Sequence, residues 1–433
     1  MADPTVTRLD ATLDDVLALI HDQPLPDLDL GGHDPAYPDF PRAEHALRYA
    51  GLSRLLEAYD LDAVLVTQEE NVRYLTGYTS VIWQVGRWHP TAFLATRDPR
   101  EAVLIPSALD AGAVRGSSWV PTVDGHRDPR EIPGIVHRHL RRLGLRGSRV
   151  GMETGSGAVV MLPWPVAAEL VGGLGAPPVD ATRLLAGLRM VKSGAELARI
   201  RRAVTATTRG YAAALDAAKA GLTEKELVAV ATSTMHAEGI TAGTRPTFLN
   251  CVSGPDRYAL VDSPASDRRL AEGDVVFLDG GGGCDGYFSD IIRLIAIGTI
   301  SPAAERYAEL ARTALEAMVA AARPGTTAAE LHATGRSVYE SAGLADFYGG
   351  NAGHGIGTEL WERPLVQDHS ADPGEDATLR PGMTMCLEPI LMPPDPGGGV
   401  AGVFVFEHQV HITADGAEVL SGDLETRLRR APA

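Results

Sequence analysis

The chain has few cysteines, few cationic residues and no long apolar run. Its three cysteines, Cys251, Cys284 and Cys386, are far apart and odd in number. That fits reduced thiols in a cytoplasm better than a disulfide frame or a CxxC metal site. No apolar stretch approaches the roughly 18 residues that would span a bilayer. The start, MADPTVTRLDATLDDV, lacks a basic segment followed by an apolar one, so no secretory signal is expected. Lys and Arg number 39 against 56 Asp and Glu, a net charge of −17. This balance argues against nucleic acid or an anionic membrane as a partner. Low-complexity tracts and long single-sign charge runs are also missing.

What is present is the composition of a globular protein, 45% hydrophobic and 22% charged, on a chain of 433 residues that calls for two domains. Residues 1–40 are acidic and proline-rich and are expected to form an arm with little regular structure. From Arg42 the periodicity predicts a helix, with Leu47, Leu52, Leu55 and Leu56 on one face. DAVLVT, TAFLAT, EAVLIP and RVGME read as strands and REIPGIVHRHLRRLG as a helix, an α/β pattern with a parallel or mixed sheet to about residue 180. Beyond it, Ser193 with Glu196 and Thr223 with Glu226 have capping-box spacing before helical periodicity. AAERYAELARTALEAMVAAA and TAAELHATGRSVYESAG predict two more helices.

One ten-residue frame occurs twice. LAEGDVVFLD (270–279) and LRPGMTMCLE (379–388) each carry Leu first, Gly fourth, an apolar strand and an acid tenth. Each precedes a second segment with another acid: GYFSDIIRL carries Asp290, and VFVFEHQVHI carries Glu407. By strand alternation Asp279 shares a face with Phe277 and Val275, and Glu407 with Val405 and Val403. Carboxylates in such apolar places are costly unless paired or bound to metal. Clustered together they raise one another's pKa, and divalent cations relieve that. His354, between glycines in GHGIGTELWERP, completes a set of Asp279, Asp290, His354, Glu388 and Glu407. Oxygen donors with a single imidazole suit Mn, Fe(II), Co or Zn. The flanking glycines are read as letting the backbone come close to the site.

KSGAELARIRRA, DGGGGCDGYFSDIIR, GHGIG, LEP and FEHQVHIT, in this order, resemble the metal-binding segments of the pita-bread metallopeptidases, the family of aminopeptidase P, prolidase and methionine aminopeptidase. The resemblance implies an α/β creatinase-like domain at 41–182, after the arm at 1–40. It implies an α+β pita-bread catalytic domain with pseudo-twofold symmetry at 183–433. It further implies two divalent metal ions as cofactors, a small-molecule or short-peptide substrate, and a homodimer. His354 and Glu388 would be catalytic as well as ligating, with Glu388 also accepting a proton; from chemistry alone any of the four acids could do so.

Two positions depart from that family. Asp262 stands where proline-specific peptidases place a histidine, seventeen residues before Asp279, and Trp361 stands where they place another, seven after His354. Asp262 can still move a proton and is carried as a catalytic candidate, whereas a tryptophan only donates weakly and stacks. The pattern is similar to the dimethylsulfoniopropionate lyases of this fold in NVRYLTGYTSVIWQVGRWHP and NCVSGPDRY. Trp83, Trp88 and Trp361 are therefore candidates for an aromatic wall facing a cationic substrate group. The expected activity is hydrolysis of a C–N bond in a small peptide or amide by an enzyme that is not a standard prolyl peptidase. The alternatives are a lyase cleaving a C–S or C–N bond of a small zwitterion, and a binding protein without activity.

Overall fold

The computed structural model describes residues 6–85, 89–241, 247–394 and 401–433, without the side chains of residues 84 and 85. The chain divides into two compact units, Met1–Arg189 and Met190–Ala433.

In the first unit β1 (Ala63–Val66), β2 (Ala92–Thr96), β3 (Val103–Ile105), β4 (Thr122–Val123), β5 (Val150–Met152) and β6 (Val179–Asp180) form one sheet in the order β4-β3-β2-β1-β5-β6. β1 runs antiparallel to β2 and parallel to β5, so the sheet is mixed. The helices are α1 (Leu13–His21), α2 (Arg42–Ala58), α3 (Glu69–Thr76), α4 (Ile82–Val85), α5 (Ala111–Ser117), α6 (Ile132–Arg142), α7 (Trp164–Gly173) and α8 (Thr182–Met190). Val64 and Val66 pack with Leu52, Leu55 and Leu56 of α2, whereas Ala63 and Leu65 pack with Ile135 and Leu140 of α6 and Leu170 of α7. Both faces of β1 are covered, which is why its sequence is apolar throughout rather than alternating.

Two expectations for this unit need correction. Leu47 is 54% exposed and lies off the buried face of α2. The segment 1–40 is more than an arm: it contributes α1, closed by a reciprocal Thr12–Asp15 capping box, with Leu13, Val16, Leu17 and Ile20 buried. That spacing is a helix face, which the surrounding prolines obscured.

The second unit repeats one construction. α9 (Gly194–Ala217) and α10 (Glu224–Ala237) precede β7 (Phe248–Ser253), β8 (Val275–Gly281), the short β9 (Gly283–Cys284) and β10 (Tyr287–Phe288), and β11 (Ile291–Ile297). α11 (Pro302–Ala321) and α12 (Ala328–Ser341) precede β12 (Asn351–Gly355), β13 (Glu362–Gln367), β14 (Thr384–Leu387) and β15 (His408–Thr413), followed by β16 (Gly416–Val419) and β17 (Arg429–Ala431). The sheets run β17-β11-β8-β7 and β13-β12-β14-β15-β16. Ser193, Thr223 and Thr327 each close a capping box at the start of a helix, a local contribution of about 1 kcal/mol apiece.

The repeated frame is structural. Gly221 N donates to Leu270 O and Gly325 N to Leu379 O; Leu270 N donates back to Leu222 O and Leu379 N to Thr326 O. Gly273 and Gly382 N donate to Ile297 O and Ile412 O in turn. A helix start, a turn and a strand entry are thus tied together the same way in both halves, the pseudo-twofold expected of this fold. One detail differs from expectation: VFVFE is not a continuous strand, since β15 opens only at His408, and residues 403–406 are buried on alternate sides alike.

Candidate metal centre

Asp279 lies within β8, and Asp290 immediately precedes β11. Glu388 immediately follows β14, and Glu407 immediately precedes β15. The β8–β11 register pairs Gly280 with Ile291, so Asp279 and Asp290 are diagonal neighbours. The β14–β15 register pairs Leu387 with His408, so Glu388 and Glu407 stand opposite each other. On β12, His354 faces Cys386 of β14. Alternation then puts Glu388 on the face shared by His354 and Cys386.

The five predicted residues come together. His354 Nε2 is 3.5 Å from Glu388 Oε1 and 3.9 Å from Asp290 Oδ2. One ligand atom each from Asp279, Asp290 and Glu407 lie within 4.8 Å of one another, as do those of His354, Cys386 and Glu407. Glu407 is common to both groups. His354 Nδ1 lies 2.9 Å from Gly355 O. A carbonyl only accepts, so Nδ1 carries the proton and Nε2 presents its lone pair to the acids.

The glycines beside His354 have a steric reason. A Cβ on Gly353, which has φ +146°, would stand 2.2 Å from Cys386 O, and one on Gly355 would stand 2.2 Å from Arg363 O. They let β12 fit between β14 and β13, and so fix where the imidazole stands.

The electrostatics call for positive charge. Burial pushes Asp290 up to about 7. Burial and the charge of Asp290 push Glu388 up to about 8. Asp279 and Glu407 rise well above the carboxylate range, first through burial and then through the neighbouring acids. His354, wholly buried, is pushed down to about 4 by desolvation and stays neutral. Among the described residues no lysine or arginine forms an ion pair with any of the four acids. Arg293, buried nearby, spends its donors on the carbonyls of Ile292, Glu407, Leu424 and Glu425. Both carboxylate oxygens of Glu407, Oδ1 of Asp290 and Nε2 of His354 lack hydrogen-bond partners. Buried polar atoms of this kind are costly unless something binds them. The donor set fits divalent cations.

The remaining candidates divide. Asp262 is exposed on the segment between β7 and β8, and its charge adds to the rise of Asp279. Trp361 stacks on the His354 ring, with centroids 5.0 Å apart and planes at 23°, and is 58% exposed. Trp83 belongs to the first unit, where it packs on the core and meets Tyr78 edge-on at 5.2 Å. Trp88 lies outside the described residues.

Comparison with known proteins identifies the family. The signature of metallopeptidase family M24 matches residues 198–414, and that of the Creatinase/Prolidase N-terminal domain matches residues 48–191. A Mycobacterium tuberculosis protein named "Probable dipeptidase PepE" is 37% identical over 318 residues, 73% of this chain and 76% of that protein. The chain belongs to metallopeptidase family M24. Among solved M24 relatives, the dipeptidase PepE of Mycobacterium ulcerans is 28% identical with a TM-score of 0.77, covering 91% of this chain and 100% of that one. The prolidase of Pyrococcus horikoshii is 25% identical with a TM-score of 0.72, covering 86% and 97%.

Three further residues of this candidate centre were not expected from the sequence. Cys386, expected only as a reduced thiol, stands two residues before Glu388 on the same strand face. Gln409, two after Glu407, accepts from Asp290 N at 3.3 Å and donates to Phe288 O at 3.3 Å, tying the two halves together. Strand alternation was the available signal for both. The third has no local signal. Lys192 Nζ meets Glu362 at 2.8 Å, both side chains being almost fully buried. Glu362 also accepts from Thr358 N at 2.9 Å and Glu359 N at 3.2 Å. That carboxylate organises the turn carrying Trp361.

Proposed function

We propose that the chain is a metal-dependent hydrolase acting on a C–N bond of a short peptide or related amide. Asp279, Asp290, His354, Glu388 and Glu407 would hold two divalent cations drawn from Mn, Fe(II), Co or Zn. The observation that carries this reading is the convergence of three buried acids, Asp290, Glu388 and Glu407, and the half-buried Asp279 on a neutral buried imidazole, with atoms of Asp290, Glu407 and His354 left unpaired. When bound, such ions lower the pKa of a coordinated water toward neutrality and polarise a carbonyl.

The protein's own groups have separable tasks. His354 is held in one tautomer by Gly355 O and in place by its position on β12, and the exposed Trp361 ring stacks on its imidazole. Glu388, at 8% exposure against 1% for Glu407, is the more accessible acid of its pair and is assigned the proton transfer. Asp262, exposed beside Asp279, is assigned a second proton-handling or amine-binding role. Names of relatives, such as the Xaa-Pro dipeptidase of Pyrococcus furiosus, 30% identical over 234 residues, support dipeptides as the substrate class.

The exposed Trp361 ring favours a second reading of the substrate, in which an aromatic face beside the centre receives a cationic or sulfonium group. One assay separates the two: metal-loaded protein against Xaa-Pro and other dipeptides, and against small betaines and sulfonium acids. Dipeptide cleavage that disappears in Asp279→Ala and His354→Ala, together with bound metal, is the expected result. Turnover of only the sulfonium acids would replace hydrolysis with elimination, and full activity of either metal-free variant would refute the site. The homodimer remains part of the proposal, tested by light scattering of the purified protein.

A further inference from the structure

We propose that Cys386 is a sixth protein donor of this centre, bound as a thiolate beside His354 and Glu407; the proposal rests on the metal-binding reading above. Cys386 stands directly opposite His354 across the β12–β14 pair, so the two side chains share a face. One ligand atom from each of Cys386, His354 and Glu407 lies within 4.8 Å of the other two. His354 and Glu407, at 0% and 1% exposure, aim unpaired atoms into this space, which points to a ligand independently of the thiol. Bonds of 2.0–2.3 Å to zinc put tetrahedral donors about 3.3–3.8 Å apart. Small side-chain rotations close that difference.

The competing account makes Cys386 an apolar filler against Phe288 and Ile356. That explains its burial but not its polar neighbours. The thiol faces the Glu407 carboxylate, and its other polar neighbour is the Asp290 carbonyl at 4.0 Å, the outer limit for a sulfur hydrogen bond. A cation in the group gives sulfur a partner: the S–H bond breaks, its proton passes to solvent, and a sulfur–metal bond forms. A soft donor on one side of the centre favours Zn or Co there over Mn, whereas the Asp279, Asp290 and Glu407 group offers oxygen alone.

The test uses full-length protein, stripped and reloaded with Zn(II) or Co(II). X-ray absorption of the zinc protein should show a sulfur scatterer at about 2.3 Å. The cobalt protein should show a thiolate charge-transfer band in the near ultraviolet that Cys386→Ser lacks. The same variant should lose zinc affinity by about tenfold or more while keeping Mn(II) binding. If Cys386→Ser does not fold, the wild-type zinc spectrum decides alone. Zinc bound through nitrogen and oxygen only overturns the thiolate and leaves the five-residue centre standing; no metal binding overturns both.

Discussion

In the first half of the C-terminal unit, β8 and β11 offer the centre two acids, Asp279 and Asp290, set diagonally across one strand pair. In the second half, β14 and β15 offer Glu388 and Glu407 directly across from each other, and β12 adds His354. The two halves share helix caps, turn hydrogen bonds and strand entries, so the backbone frame is common property. The donors differ because register and neighbours differ. A symmetric scaffold thereby builds an asymmetric site: the first half supplies oxygen only, while the second adds nitrogen, a thiol and an aromatic ring.

Substitutions that strike shared and private residues sharpen this contrast. Glu407 belongs to both donor groups, so Glu407→Ala should remove both ions and lower activity by roughly 10³-fold or more, several kcal/mol of lost transition-state stabilisation. Asp279→Ala should release metal first from the oxygen-only group. Elemental analysis of the two variants reads the difference, and equal loss in both would break the assignment of Glu407 as the shared donor.

Lys192→Met tests the second half alone. It leaves Glu362 charged and buried without its cation, and should destabilise the unit by about 3–5 kcal/mol in denaturant unfolding. An effect near that of an exposed ion pair would show that the Trp361 turn does not depend on this contact.

The pH dependence of metal-free protein follows from the raised acids. Asp290 and Glu388 titrate at about 7 and about 8 in the fold against ordinary values of 3.8 and 4.5. Protonation is therefore favoured by folding. Their contribution is fully present below the ordinary carboxylate range and is lost as pH rises through about 7 to 8. Thermal melting of stripped protein should fall as pH rises from the ordinary carboxylate values of 3.8 and 4.5 to about 7 and about 8, and level off above; metal should flatten the fall. The smallest effect is expected from Trp361→His. Metal content should stay unchanged while KM shifts by roughly tenfold, about 1.4 kcal/mol; loss of metal would make the ring a structural brace for His354.

Much of the frame is legible in the sequence because it is local. Ser193 with Glu196 and Thr223 with Glu226 are three residues apart, and the repeated Leu-Gly-acid segments carry their own strand register. Asp279, Asp290, His354, Glu388 and Glu407 are legible for the same reason: each lies in or next to a strand and is marked by nearby glycine or by a change of pattern. What the sequence hides is long-range or obscured by context. Lys192 and Glu362 meet across 170 positions. Gln409 gains its role only when β15 is laid beside the Asp290 turn. Helix α1 had a visible period, but the prolines after it suggested an arm. Trp83 is half-buried against the core of its own unit, a packing that its segment's resemblance to the lyases did not reveal.

The central claim is tested most directly by anomalous diffraction from crystals grown with Mn(II), Co(II) or Zn(II), combined with activity titrated against metal. The account predicts about two ions per chain, both touching Glu407, with activity rising as they fill. A fully active protein free of transition metal, or ions bound away from Asp279, Asp290, His354, Glu388 and Glu407, would contradict it.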